Sequence, residues 1–128
     1  MDKQGEARCP YFGRCGGCAF QDIPYLQQVE DKTRILAETL KIKEIEVFTG
    51  PAYHYRQRMD FVFHAGGLGL REKGRWYQIV DIENCVIANH SLNQLMSEVR
   101  DFFQEVDVFD VRKKVGTFRY AVIRTPPA

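Results

Sequence analysis

Four cysteines constrain this 128-residue chain more than any other feature. Three fall in one short loop, Cys9, Cys15 and Cys18, and the fourth, Cys85, lies far downstream at the end of Val80-Asp81-Ile82-Glu83-Asn84-Cys85. The loop can bend three thiolates around one centre because Gly13, Gly16 and Gly17 tolerate backbone conformations that other residues avoid. A remote fourth thiolate then closes the sphere and ties distant segments together. Two disulfides fit poorly, since no hydrophobic signal segment is evident and the chain is not a small cysteine-dense scaffold. A structural zinc site usually draws on two CxxC-like knuckles, whereas only Cys15 and Cys18 form one here. An iron–sulfur cluster is wider, and the longer Cys9–Cys15 arm gives the loop room to wrap it. Arg8 and Arg14 flank the loop and suit a net negative cluster, and the Gly16 and Gly17 amides could donate to its sulfurs. From spacing alone the cluster leads zinc only modestly.

The remaining pattern is that of one folded domain spanning residues 1–128, with an apolar fraction of 45% and aromatics at 12%. The net charge of +1 announces no nucleic-acid binder, so any RNA contact must come from local clustering. No apolar stretch is long enough to span a membrane. Thiols reserved for a metal centre place the expected compartment in the reducing cytoplasm. Residues 1–8 are polar and expected to be mobile. Asp22 and Pro24 predict a helix start, with Asp22 as cap, and Leu26, Val29, Thr33, Leu36 and Leu40 supply an apolar stripe. Lys32, Arg34 and Lys41 read as a solvated helix face in preference to phosphate contacts.

Ile45–Phe48 predicts a short strand broken at Gly50-Pro51. Met59, Phe61 and Phe63 then alternate with Arg58, Asp60 and His64, the period of a half-buried strand. Turns at 65–67 and at Lys73-Gly74 set up two further strands, giving an antiparallel meander that ends just before Cys85. Asn89, His90 and Ser91 are cap candidates for a second helix, whose apolar face runs from Leu92, Leu95 and Met96 to Val99, Phe102, Phe103 and Val106. Asp110–Gly116 is a basic turn or hairpin, and Phe118–Ile123 is a strand with Arg119 and Arg124 as polar members. The expected fold class is α+β: an antiparallel sheet covered by two helices, pinned at one end by the cysteine loop over residues 8–22 together with Cys85. His64 and His90 have no nucleophile or carboxylate partner in sight, so they read as a strand residue and a near-cap residue.

The ordered set Cys9-Pro10-Tyr11-Phe12-Gly13-Arg14-Cys15-Gly16-Gly17-Cys18, Tyr55-Arg56-Gln57-Arg58-Met59, Leu68-Gly69-Leu70-Arg71 and Val80–Cys85 resembles the iron–sulfur branch of the RNA (uracil-5-)-methyltransferases, which modify ribosomal and, in archaea, transfer RNA. The resemblance runs from Cys9 to about Arg124. It implies that Cys9, Cys15, Cys18 and Cys85 hold a [4Fe–4S] cluster. It also implies an RNA partner (rRNA or tRNA), with S-adenosylmethionine as methyl donor to a catalytic domain that this chain is expected to lack.

The candidate RNA-contacting residues are Tyr55, Arg56, Arg58, Arg71, Lys73, Arg75, Trp76 and Tyr77, since cations suit phosphates and aromatic planes suit unstacked bases. The residues alone favour a blander arrangement, with Trp76 and Tyr77 in the core and the cations paired to Asp60 and Glu72. The resemblance turns the expectation to RNA. Arg112, Lys113 and Lys114 form a weaker second candidate.

Relatives of this kind add a cysteine thiolate to uracil C6, move the methyl group from S-adenosylmethionine to C5, and remove the C5 proton with a general base. All four cysteines here match cluster ligands, and neither Gly16-Gly17 nor Gly66-Gly67 fits a methyl-donor turn. No catalytic residue is therefore assigned. The chain is expected to be inactive alone, with a separate catalytic methyltransferase chain as its partner. The alternatives are a standalone iron–sulfur module for RNA binding or electron transfer, and a zinc-stabilised interaction domain.

Overall fold

The structure is a computed structural model that describes residues 6–127. The mobility expected of residues 1–5 lies outside the described residues. In chain order the elements are α1 (Tyr25–Leu40), β1 (Arg58–His64), β2 (Gly67–Glu72), β3 (Arg75–Asp81), α2 (His90–Phe102) and β4 (Tyr120–Arg124). The strands form one antiparallel sheet in the order β3-β2-β1-β4.

The meander emerges as the alternation predicts. Met59, Phe61 and Phe63 are buried on one face of β1, while Arg58 and Asp60 are exposed on the other. The C-terminal strand then adds beside β1 and pairs Met59 with Ile123 and Val62 with Tyr120. The turn between β1 and β2 needs glycine at position 67, where φ is +132° and a Cβ would sit 2.9 Å from Arg100 Cζ.

Helix α2 closes the buried face. Asn89 caps it by accepting from the Leu92 amide (2.8 Å), and Leu92, Asn93 and Met96 are buried against the sheet. Phe61, Leu68, Val80, Ile82, Leu92 and Met96 make the fully enclosed centre of the core. Edge-to-face contacts of Phe63 with Phe103 and Phe118 extend it toward the basic hairpin, which closes through the Asp110–Val115 bridge.

Three expectations are corrected. The first helix does not cover the sheet: none of its residues is buried, Leu26 is 76% exposed, and Leu36 and Leu40 also face solvent. Its start is not capped by Asp22. Pro24 occupies the cap position without a side-chain hydrogen bond, and Gln28 instead ties the preceding turn by donating to the carbonyls of Phe20 and Ile23 (2.8 Å each). Ile45–Phe48 is not a strand; with no neighbouring strand to pair with, it runs as irregular chain and leaves Phe48 86% exposed.

Candidate functional site

The cysteine loop is built as an extension of the β2–β3 hairpin. Cys15 bridges to Glu72, the Gly16 N–H donates to the Arg71 carbonyl (2.9 Å), and the Lys73 N–H donates to the Arg14 carbonyl (2.7 Å). A Cβ on Gly16 would lie 3.0 Å from that Arg71 carbonyl, so the close approach selects glycine. Within the loop, Gln21 Oε1 accepts from the Cys9 amide (2.7 Å). Tyr11 reaches across to Glu83, its hydroxyl accepting from the Glu83 amide at 3.4 Å.

Cys85 arrives from the other side. Asn93 on α2 accepts from the Cys85 amide and donates to the Cys85 carbonyl, both at 2.8 Å, which fixes its peptide in the core. The segment before β1 braces this region too: the His54 amide donates to the Val86 carbonyl, and Arg56 exchanges bonds with Ile87 and Asn89.

All four cysteines are free and line one cavity of about 360 Å³, floored by Met59, Leu70, Ile82 and Ile87. Burial pushes the Cys15 thiol up. The Gly17 amide, donating to its sulfur at 3.4 Å, opposes this, and repulsion from Cys85 and Cys9 adds to the rise. Burial and then Cys85 likewise raise Cys18, against a hydrogen bond from Gln21 Nε2 at 3.7 Å. Of the two glycine amides, that of Gly17 donates to the Cys15 sulfur and that of Gly16 serves the hairpin. Among the described residues, no three or more His, Cys, Asp or Glu side chains are arranged to hold a metal ion as they stand.

Arg56 and Arg58 line this same cavity, so two candidate RNA residues stand at the cysteines. Arg71, Lys73 and Trp76 line a second, more open groove of about 610 Å³ on the solvent face of the sheet. The two hollows share Gly17, Asp60 and Leu70 as a common wall. Tyr55 lies by Cys18 and Lys32 in a smaller recess.

The aromatic residues are not in the core. Trp76 is 61% exposed, and Tyr55 and Tyr77 are exposed as well. The anticipated ion pairs do form: Arg58 with Asp60 (3.1 Å) and Arg75 with Glu72 (2.6 Å). Arg112 lies 5.9 Å from the centre of the Tyr77 ring, so the second basic candidate joins the first surface. Arg8 stands 4.4 Å over the Tyr53 ring.

Two constellations escaped the sequence. Tyr120 accepts from Arg71 Nη2 at 2.9 Å, a bond that holds its phenol below the ordinary value, and Arg119 stacks over it at 5.1 Å. Its place in the Phe118–Ile123 alternation was the available signal. The other is His64–Asp81–Arg100, which answers the missing partner for His64. His64 Nε2 donates to Asp81 Oδ1 and Arg100 Nη2 to Asp81 Oδ2, both at 2.7 Å. Arg100 also donates to the carbonyls of Gly66, Leu68 and Ile82, clamping α2 to the sheet. His90 stacks on His54, with ring centres 4.1 Å apart.

No helix among the described residues is long and apolar enough to cross a membrane. No family model matches the chain. It is 36% identical over 92% of its length to the tRNA (uracil(54)-C(5))-methyltransferase of Pyrococcus horikoshii, and 33% identical over 93% of its length to an uncharacterized RNA methyltransferase of Clostridium tetani. It also superposes over 91% of its length, with a TM-score of 0.73 and 30% identity, on the crystal structure of Pyrococcus abyssi tRNA (uracil-54, C5)-methyltransferase in complex with S-adenosyl-L-homocysteine. It spans only 30%, 29% and 29% of those three proteins, respectively. The chain is homologous to a segment of the tRNA uracil-C5-methyltransferases, about three-tenths of their length.

Proposed function

We propose that this chain is the cluster-bearing, RNA-gripping portion of an S-adenosylmethionine-dependent RNA (uracil-5-)-methyltransferase. The observation that carries the reading is the convergence of all four cysteines, three from the N-terminal loop and one from just beyond β3, on one cavity that shares a wall with an exposed aromatic and cationic face. Four thiols with no disulfide among them, gathered around a hollow larger than one ion needs, fit a [4Fe–4S] cluster held by Cys9, Cys15, Cys18 and Cys85. The mutual repulsion of these sulfurs is what a cationic centre would relieve. A cluster there would supply a structural tie, with the loop already seated on the hairpin by the Gly16 and Lys73 amides.

The protein's own residues then divide the RNA work. Arg56 and Arg58 meet phosphates beside the cysteine loop, while Arg71, Lys73, Arg75, Trp76 and Tyr77 present charge and ring faces along the hairpin. Methyl transfer to uracil C5 needs a cysteine free to add at C6. All four here are engaged at one cavity, so this reaction falls to a separate catalytic portion, joined or associated.

Protein purified without oxygen tests the reading. Close to four iron and four sulfide per chain, with a broad absorption in the visible, are expected; zinc in their place would overturn the cluster and favour an interaction domain. RNA binding is read in the same preparation. Arg56→Ala with Arg58→Ala should weaken it and flatten its dependence on salt, since fewer counterions leave on binding. A reversible cluster potential with no RNA affinity would point instead to electron transfer.

A further inference from the structure

The sheet's solvent face carries a groove with more construction than a general phosphate-binding surface needs. Trp76 from β3 and Tyr120 from β4 flank it, and Arg71 from β2 stands between them. Arg71 Nη1 donates to the Trp76 carbonyl (2.8 Å) and Nη2 to the Tyr120 hydroxyl (2.9 Å), with the guanidinium carbon 5.8 Å from each ring centre. The arginine is thus used as a spacer that sets two aromatic side chains from strands at opposite edges of the sheet. Val62 and Leu70 are its apolar lining, Lys73 a second cation, and Asp60 and Glu72 its acids, paired with Arg58 and Arg75. Arg71 and Lys73 balance these two acids, and Asp60, half exposed, keeps lone pairs free to accept from amino and imino groups beside its bond to Arg58.

Resting on the RNA reading above, we propose that the groove rimmed by Trp76, Arg71 and Tyr120 takes one unpaired RNA base carrying an exocyclic amino group, stacked on an exposed ring of that rim. The rings supply π faces, Val62 the apolar lining, and Asp60, 51% exposed, the acceptor for the amino hydrogens. Its volume of about 610 Å³ accommodates a base with its sugar. Because Gly17 and Leu70 also line the cysteine cavity, the base would rest against the wall of the metal site.

Trp76 is the only tryptophan in the chain, so its fluorescence reports this groove directly. The experiment titrates the full chain with labelled single-stranded RNAs of about ten nucleotides, a length within the usual footprint of such surfaces. Anisotropy of the label reads binding, and Trp76 emission reads stacking. Oligonucleotides of adenine or cytosine should bind and quench Trp76, and uracil oligonucleotides should bind more weakly and quench less. Tyr120→Ala should weaken binding of the adenine strand by about 5- to 150-fold, the effect of losing one stacked base, while Tyr120→Phe, which keeps the ring, should lose far less. Tyr120 is 45% exposed, so its replacement leaves the core intact, and a circular-dichroism melt confirms this for each variant. RNA bound at full affinity with Trp76 emission unmoved and Tyr120→Ala unaffected would overturn the stacking site and leave the RNA reading standing. No binding of any strand would overturn both. Quenching equal for all four bases would overturn the amino-group preference.

Discussion

Asn93 accepts from the Cys85 N–H and donates to the Cys85 carbonyl inside the core, with a longer bond from the same Nδ2 to the Ala88 carbonyl (3.4 Å). Asn93→Ala would strand that buried amide, at a cost of about 1–3 kcal/mol. A urea melt should show the loss, and amide exchange at Cys85 should quicken before exchange at the sheet centre does. A second residue-scale dependence belongs to Asp81. Burial pushes its carboxyl up, but hydrogen bonds from Arg100 and His64 outweigh this and hold it below the ordinary aspartate value. A folded value below the unfolded one contributes stability in full above the ordinary value, and that stability is lost as pH falls through the lowered one. Asp81→Asn should therefore melt earlier at neutral pH and lose part of the acid-side slope. Parallel curves for the two proteins down to about pH 2 would contradict the linkage. His64 takes a defined role here, because the Gly66 amide donates to its Nδ1 at 3.2 Å and leaves the proton on Nε2 for Asp81. Nothing in the local sequence could announce this, since the strand register brings position 64 beside 81 and the packing of α2 on the sheet adds Arg100.

At the scale of elements, the two helices have similar amphipathic patterns and different fates. Helix α2 buries Leu92 and Met96, whereas α1 buries nothing. Met96→Ala should cost about 2–5 kcal/mol. Leu36→Glu should stay within about 0.5 kcal/mol of the wild type, because its site is already in water. Comparable losses from the two substitutions, measured by denaturant melts of the isolated chain, would place α1 in the core after all. The contrast marks where periodicity stops being informative. A stripe of Leu26, Val29, Thr33, Leu36 and Leu40 specifies a helix, but only a partner surface decides whether the stripe is covered. The sheet was more legible: β1 alternates at period two, and the glycine turns fix its hairpins locally. The seat of the cysteine loop was not, because it depends on the backbone of Arg71 and Lys73 and not on any side-chain pattern. The aromatic face was half legible. Trp76 and Tyr77 were named through the family resemblance, the residues alone having favoured the core for them, while Tyr120 joined through the pairing of β4 with β1.

For the molecule as a whole, the proposed cluster joins residues 9–18 to residue 85 and so closes the longest loop available to the cysteines. Cys85→Ser is expected to lose iron and sulfide and much of the cooperative melt. A native-like melt without bound metal would show that Asn93 and the hairpin seat hold the site unaided. The purified chain incubated with labelled S-adenosylmethionine and unmodified RNA should produce no 5-methyluridine, with label appearing only when a catalytic polypeptide is supplied. Label incorporated by the chain alone would show that one of the four cysteines is free to attack uracil. The strand order β3-β2-β1-β4 has a further consequence on the ribosome. One side of β1 finds its partner at once through a tight turn, while the other waits for Tyr120–Arg124. At roughly 5–20 residues per second, that flank stays open for several seconds in every nascent copy. Neighbouring chains on one polysome would meet it as a bare strand margin. Arg58 and Asp60, at alternate exposed positions along β1, put charge on that margin while it is open, and charge of that kind disfavours pairing with strangers before the native strand arrives.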